Sequence, residues 1–149
     1  MKIFVDADAL PRMIKEIIIR AADRCEVQTI FVANQSCVLP ASLFLSAVTV
    51  SAGPDEADNM IALAVSAGDV VITADIPLAD RAVTKGALVI NPRGELITSE
   101  NVKQRLAIRD FMDQLRSGGD DVGGGPGAFK EKDRSAFARE FDRCLNRRG

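Results

Sequence analysis

The amino-acid sequence predicts an α/β fold in which a mainly parallel sheet is covered by helices on both faces. Two segments, DVVIT at 69–73 and ALVIN at 87–91, have the near-continuous hydrophobicity of strands that are buried on both sides. Such segments alternate with stretches in which apolar residues recur at helical spacing, as Ile14, Ile17 and Ile18 do. A chain of 149 residues also has the usual size of one domain with one hydrophobic core.

Strands and helices account for the first 116 residues. Strands are predicted at 2–6, 27–32, 47–51, 69–73 and 87–91. Helices are predicted at 11–24, 55–66 and 77–85, and from Thr98 or Ser99 to 116. Pro92 and Gly94 supply the turn that ends the last of these strands. In parallel sheets, ligands bind beyond the carboxyl ends of the strands, so we expect a functional site at that edge.

The rest of the chain divides into a linker and a helix. Residues 117–127 contain seven Gly or Pro among eleven positions, which predicts a flexible linker. Residues 128–149 form a predicted amphipathic helix with seven basic and four acidic side chains. Its apolar face consists of Phe137, Phe141 and Leu145, and its basic face of Arg139, Arg143 and Arg147. We expect this helix to pack on the α/β domain of residues 1–116 or on a second copy of the chain, which would make a homodimer.

The composition excludes several kinds of chemistry. The chain has no histidine, which removes serine-histidine and cysteine-histidine catalysis and the commonest transition-metal ligand. Its three cysteines have no C-x-x-C spacing, which argues against a zinc site or a disulfide framework. The net charge of −2 means that a polyanionic partner needs a local basic patch or a bound cation. Asp6 and Asp8 interrupt the first apolar run, so we expect a cytoplasmic protein with no signal peptide and no membrane association.

Acidic residues collect where the predicted strands end. The first strand ends at Asp6, and Asp8 follows two residues later. Asp75 comes within two residues of the strand at 69–73. Because these strands are expected to be parallel, their ends meet at one edge of the sheet. Further polar residues occur in the helices that follow the strands: Asp55, Asp58, Asn59 and Asp80.

These carboxylates have two interpretations. Mg²⁺ or Mn²⁺ is held by a few carboxylate oxygens together with water and phosphate oxygens, and such a site needs no histidine or thiol. A metal pair can activate water and stabilise the transition state of phosphodiester hydrolysis, so a hydrolase without histidine is chemically complete. Alternatively, Asp8, Asp55 and Asp75 each only cap a helix, where Asp is a preferred residue.

Five ordered motifs resemble those of one protein family. They are VDADALP at 5–11, GPDEADNMI at 53–61, TADIPLA at 73–79, NPRGEL at 91–96 and GGPGAFKEKDRSAFAREFDR at 124–143. In this order they resemble the motifs of the YaiI/YqxD family of uncharacterised bacterial proteins over nearly the whole chain. That family is similar to PIN-like domains, which implies a Rossmann-like three-layer α/β/α fold and, by analogy, a metal-dependent ribonuclease site. The resemblance matches four acids of that site with Asp6, Asp58, Asp75 and Asp80.

The leading hypothesis is a ribonuclease that uses Mg²⁺ or Mn²⁺ to hydrolyse a phosphodiester bond of RNA. Its catalytic and metal-binding acids would be Asp6, Asp58 and Asp75. Further residues of the metal site would be Asp8, Asp55 and Asp80. The substrate would be held by Asn59, Arg81, Lys85 and Arg93.

Two other functions stay open at this point. Asp6-Ala7-Asp8 has the D-x-D pattern of haloacid-dehalogenase-type phosphatases, in which Asp6 would be the nucleophile and Asp8 the general acid. In the other alternative, the protein is a non-catalytic module whose acids only cap helices and whose basic tail binds nucleic acid or protein.

Overall fold

The computed structural model describes residues 1–53, 55–117 and 128–146 and has strands and helices that alternate along the chain. The strands are β1 (Ile3–Asp6), β2 (Thr29–Ala33), β3 (Leu45–Thr49), β4 (Val70–Ile72), β5 (Leu88–Ile90) and β6 (Leu96–Ile97). The helices are α1 (Arg12–Cys25), α2 (Glu56–Ala64), α3 (Ile76–Thr84), α4 (Val102–Ser117) and α5 (Glu131–Asn146).

All six strands belong to one sheet, in the order β3-β2-β1-β4-β5-β6. The first five pair in parallel, and only β6 is antiparallel, because the turn at 91–95 folds it back onto β5. The strand β6 was not predicted, since two apolar residues after a turn show no alternation that would indicate a strand. The strand β3 begins at Leu45, two residues earlier than predicted, because Leu45 pairs with Thr29 at the start of β2.

Helices cover both faces of the sheet, so the predicted three-layer α/β/α fold is confirmed. Side chains of β1 alternate between the faces: Ile3 and Val5 pack in one core cluster and Phe4 in the other. The first cluster is completed by α1 and α5, and the second by α2, α3 and the start of α4. None of the helices in the described ranges has both the length and the apolar character that a membrane span requires.

The helix α5 supplies a large part of the core on its side of the sheet. Phe137 and Phe141 are both at most 1% exposed, and their rings stack with centroids 5.2 Å apart. They lie in the same cluster as Ile3 of β1 and Ile14 of α1. Most of the predicted linker, residues 118–127, and the end of the tail, including Arg147, lie outside the described residues.

A glycine allows α5 to approach the turn between β5 and β6. Gly94 has a φ of +88°, and a Cβ atom at this position would lie 2.4 Å from the carbonyl carbon of Ala136 in α5. Such an overlap involves backbone on both sides, so a side chain at position 94 would force the turn and the helix apart. The turn that follows β5 is therefore held by direct contact with α5.

The core position of Phe137 leads to a stability prediction. We expect Phe137→Ala to lower the free energy of unfolding by about 3–5 kcal/mol, because it leaves a cavity beneath the sheet. The matched control is Phe111→Ala in α4, where the side chain is 59% exposed and the expected change is within about 0.5 kcal/mol. Urea denaturation measures both changes. Equal losses in the two variants would mean that α5 does not share the core in solution.

Candidate functional site

The strands β1 and β4 lie side by side in the middle of the sheet, and the chain leaves them in different directions. After β1 it enters α1 on one face, and after β4 it enters α3 on the other. In open parallel sheets this arrangement leaves a crevice beyond the strand ends, which is where ligands bind. Asp6 is the last residue of β1, and Thr73 directly follows β4. The crevice between β1 and β4 is therefore the candidate site.

Thr73 connects the two strand ends. Its hydroxyl donates a hydrogen bond of 2.9 Å to Oδ2 of Asp6 and accepts one of 3.0 Å from the backbone N–H of Asp75. Thr73 is buried, with 2% exposure, so its hydroxyl relies on these two contacts for its hydrogen bonds. Thr73 stands in the TADIPLA motif, but no role was predicted for it from the sequence. It is a positioning residue that fixes the Asp6 carboxylate relative to the start of α3.

Asp75 has contacts to both a helix and another carboxyl group. Its Oδ1 accepts a 2.8 Å hydrogen bond from the N–H of Leu78, so Asp75 caps α3, as one of the two interpretations predicted. The same side chain lies beside Asp58 of α2 in one cleft, and its negative charge raises the pKa of Asp58. Capping and membership of the acidic cluster are therefore compatible at this residue.

Burial and the negative charges of neighbouring acids raise the pKa values of Asp6 and Asp58 in the crevice. Desolvation, followed by the negative charges of Asp75 and Asp6, raises the pKa of Asp58 from the ordinary 3.8 to about 7. The pKa of Asp6 is also raised, mainly by desolvation, and the hydrogen bond from Thr73 only partly opposes this. The neighbouring charges of Asp75 and Asp8 add to the increase for Asp6. The fold thus holds Asp6, Asp58 and Asp75 close enough together that their negative charges oppose the ionisation of Asp6 and Asp58.

The carboxyl groups are not arranged as a finished set of metal ligands. In the ranges 1–53, 55–117 and 128–146, no three Asp, Glu or Cys side chains are placed so that they could hold one metal ion together. The acids interact through their charges, and a shared ion would require side-chain rotation to bring their oxygens together. Rotations of partly exposed side chains are small and fast motions.

Asp8 and Asp55 border this cluster without capping a helix. The carboxylate of Asp8 accepts hydrogen bonds of 3.0 and 3.3 Å from the backbone N–H of Asn34, at the end of β2. The cap position of α1 is occupied by Pro11, so the capping interpretation of Asp8 is wrong. Asp55 does occupy the cap position of α2, in a left-handed conformation with a φ of 69°, but its side chain makes no capping hydrogen bond.

Asp80 stands apart from the other acids. Its carboxylate forms a 3.0 Å ion pair with Nζ of Lys103, which joins α3 to α4. It is not among the charges that shift the pKa of Asp6 or Asp58. The structure therefore places Asp80 in a contact between helices.

Two of the four predicted substrate-binding residues lie beside the acids. A cleft of about 320 Å³ contains Asp55, Asp58, Asp75, Asn59, Arg81 and Arg109 among its lining residues. The Arg81 guanidinium donates a 2.8 Å hydrogen bond to Oδ1 of Asn59, which holds the cation in the cleft. The position of Arg109 in this cleft was not predicted, because Asp110 and Asp113 give its segment the charge pattern of an exposed helix face.

The other two predicted substrate-binding residues have structural contacts. Lys85 donates hydrogen bonds of 2.9 and 3.2 Å to the carbonyl oxygens of Ala62 and Leu63, which lie in the last turn of α2. Arg93 forms a 3.0 Å ion pair with Asp133 in α5. Neither lines the cleft that contains Arg81.

Comparisons with known proteins assign relatives over the full length of the chain. A family model described as "Uncharacterized BCR, YaiI/YqxD family" matches residues 4–147. The chain is 53% identical to a UPF0178 protein of Saccharophagus degradans over 147 residues, which are 99% of this chain and 97% of that protein. A UPF0178 protein of Shewanella amazonensis is 54% identical, with 99% of this chain and 98% of the relative covered. A UPF0178 protein of Vibrio cholerae is 53% identical, with 99% of each covered. No solved structure matches the chain.

The raised pKa of Asp58 predicts how stability depends on pH without a metal. Because Asp58 titrates near 7 in the folded state and near 3.8 ordinarily, the folded state binds the extra proton between these values. In EDTA, stability should therefore fall as the pH rises from about 4 through about 7. We expect Asp58→Asn to unfold at a higher temperature than wild type at pH 8, and the difference to vanish at pH 4.

The control for this measurement is Asp80→Asn. That substitution removes a partner of Lys103, so it should not raise the thermal midpoint at pH 8. A midpoint of Asp58→Asn below that of wild type at pH 8 would show that the carboxylate is favourably placed and not repelled.

Proposed function

The chain belongs to the YaiI/YqxD family of bacterial proteins, and we propose that it is a divalent-metal-dependent nuclease of the ribonuclease type. The observation that supports this most is the convergence of Asp6, Asp58 and Asp75 at the crevice between β1 and β4. These residues come from three separate segments, and their mutual repulsion destabilises the fold at neutral pH. A fold that keeps such a cluster has a use for concentrated negative charge.

The donor set fits Mg²⁺ or Mn²⁺. The crevice offers carboxylate oxygens, and the chain has no histidine that would favour a softer metal. The raised pKa of Asp58 marks a place where positive charge relieves repulsion, and a cation held by Asp6, Asp58 and Asp75 would supply that charge. When bound, such a cation supplies Lewis acidity, which activates water and stabilises negative charge on a phosphate.

The protein's own residues orient the site and attract the substrate. Thr73 fixes the direction of the Asp6 carboxylate, and the cap on α3 fixes that of Asp75. Arg81, held by Asn59, and Arg109 place positive charge beside the acids, where it can bind phosphate oxygens. RNA as the substrate rests on the resemblance to PIN-like domains together with the two arginines of this cleft.

Metal binding can be tested by stability alone. We expect Mg²⁺ or Mn²⁺ to raise the free energy of unfolding of wild type, by about 2.7 kcal/mol when the metal is at a hundred times its dissociation constant. Asp75→Asn should lose most of this gain while it retains the cap, because Asn caps a helix nearly as well as Asp. Asp80→Asn should keep the gain, because in wild type the Asp80 carboxylate pairs with Lys103 and lies outside the acidic cluster. A metal-independent unfolding midpoint for wild type would remove the basis for a metal site.

Catalysis can be tested with a fluorophore-quencher single-stranded RNA in Mn²⁺. We expect wild type to cleave it and Asp6→Asn to be slower by more than about a hundredfold, with an unchanged far-UV circular dichroism spectrum. The control is Asp142→Asn on α5, whose carboxylate is 62% exposed and distant from the crevice.

Three other outcomes would contradict the nuclease. Cleavage that survives in Asp6→Asn would place the activity elsewhere. RNA binding in EDTA without cleavage in any divalent metal would select the non-catalytic module. Stoichiometric binding of a covalent phosphoaspartate mimic with Mg²⁺ would select the phosphatase, with Asp6 as its nucleophile.

A further inference from the structure

Two clefts border the acidic cluster, one on each side along the order of the strands. The first, here called the α3 cleft, has a volume of about 320 Å³ and is lined by Asp75, Arg81 and Arg109 among others. The second, here called the α1 cleft, has about 390 Å³ and lies where β1 and β2 end. Its lining includes Ala7 and Asp8, which directly follow Asp6, and the lining of the α3 cleft includes Asp75, which Thr73 joins to Asp6. The two clefts therefore approach each other at the acids.

Each cleft contains two cations. Arg12 and Lys15, in the first turn of α1, line the α1 cleft, as Arg81 and Arg109 line the α3 cleft. Within the described residues, Arg12, Lys15 and Arg81 form no ion pair with a carboxylate. The polar partners of Lys15 and Arg81 are uncharged, namely the carbonyl oxygen of Val38 and the amide oxygen of Asn59.

Many other cations of the protein are neutralised. Arg105, Arg116, Arg134 and Arg143 each pair with a carboxylate on the protein surface. The charge of Arg109 is only partly neutralised, since its ion pairs with Asp110 and Asp113 are long, at 3.4 and 3.5 Å. The positive charge left for an external anion therefore includes a pair of residues in each cleft, on either side of the acids.

We propose, on the basis of the nuclease function above, that a single-stranded polynucleotide crosses the acids from the α1 cleft to the α3 cleft. Its phosphates on one side of the reacting bond contact Arg12 and Lys15, and those on the other side contact Arg81 and Arg109. Cations spaced along the path of the backbone are how proteins bind single strands, and here they stand on either side of the acids. A mononucleotide reaches only one cleft, and two small concavities do not form the broad surface that a duplex covers.

This path has two consequences for the substrate. The strand continues in both directions from the acids, so an internal bond is positioned without any need for a strand end. Contacts between cations and phosphates carry no base information, and the chain has no Trp or Tyr on which bases could stack. Binding should therefore depend on strand length and salt, with little dependence on sequence.

The test is the salt dependence of binding to a fluorescein-labelled 12-nucleotide single-stranded RNA, measured by fluorescence anisotropy in Mg²⁺. The full-length chain carries Asp6→Asn throughout, so the strand stays intact. Four phosphate contacts predict a slope of log affinity against log salt near −2.8, at about 0.7 for each contact on a single strand. Arg12→Gln and Arg109→Gln should each make the slope shallower by about 0.7.

Each cleft variant has a matched control on the same helix. Arg20→Gln lies further along α1, beside α5, and Arg105→Gln lies on α4, where the arginine pairs with Glu95 and does not line the α3 cleft. Both change the net charge as the cleft variants do, and both should leave the slope unchanged. Thermal midpoints of all variants identify any loss of folding.

Several results would overturn the path. They are equal slopes for cleft and control variants, an effect of Arg109→Gln without one of Arg12→Gln, and tighter binding of a 12-base-pair RNA duplex than of the single strand. Wild-type cleavage together with unchanged slopes would reject the path and leave the nuclease standing. The expected slopes without cleavage in Mn²⁺ would support the path and reject the nuclease.

Discussion

The parallel pairing of β1 with β4 is the constraint on which the candidate site depends. It brings Asp6 beside Thr73. The Thr73 hydroxyl then joins the Asp6 carboxylate to the backbone of Asp75, the residue that precedes α3. Because Thr73 is buried, leaving its hydroxyl without these partners would be costly. The positions of Asp6 and Asp75 are thus set by the sheet itself, on rigid elements, as functional groups require.

The acidic cluster opposes the stability that the rest of the fold provides. The raised pKa values of Asp6 and Asp58 make the folded state less favourable at neutral pH, whereas the core clusters on both faces favour it. Proteins are stable by a small margin, so such repulsion is a measurable part of the total. The cap that Asp75 provides for α3 offsets part of it locally, because the same carboxylate stabilises the helix that begins beside the crevice.

Features that depend on local patterns and strand order could be predicted from the sequence. The apolar segments gave the parallel strands, and parallel strands imply that acids such as Asp6 and Asp75 meet at one edge. Capping and membership of an acidic cluster looked like alternatives for Asp75, because a sequence does not reveal that one carboxylate can have both contacts.

Features that depend on contacts between distant segments could not be predicted. Lys85 was expected to bind substrate, but the last carbonyl groups of α2 lie within its reach. Asp80 meets Lys103 only because α4 packs beside α3. Arg109 reaches the α3 cleft through that same packing, and the two-residue strand β6 exists only because the preceding turn folds back on β5.

The contact between Gly94 and α5 has a consequence for the order of events during biosynthesis. The chain is made from its N-terminus, so β1, β4 and all three acids of the crevice leave the ribosome well before Glu131, the first residue of α5. Until α5 arrives, Ile3 and Val5 lack Phe137 and Phe141 as partners, and the turn at Gly94 lacks its support. A nascent chain therefore exposes this apolar face of the sheet until translation has passed the final helix.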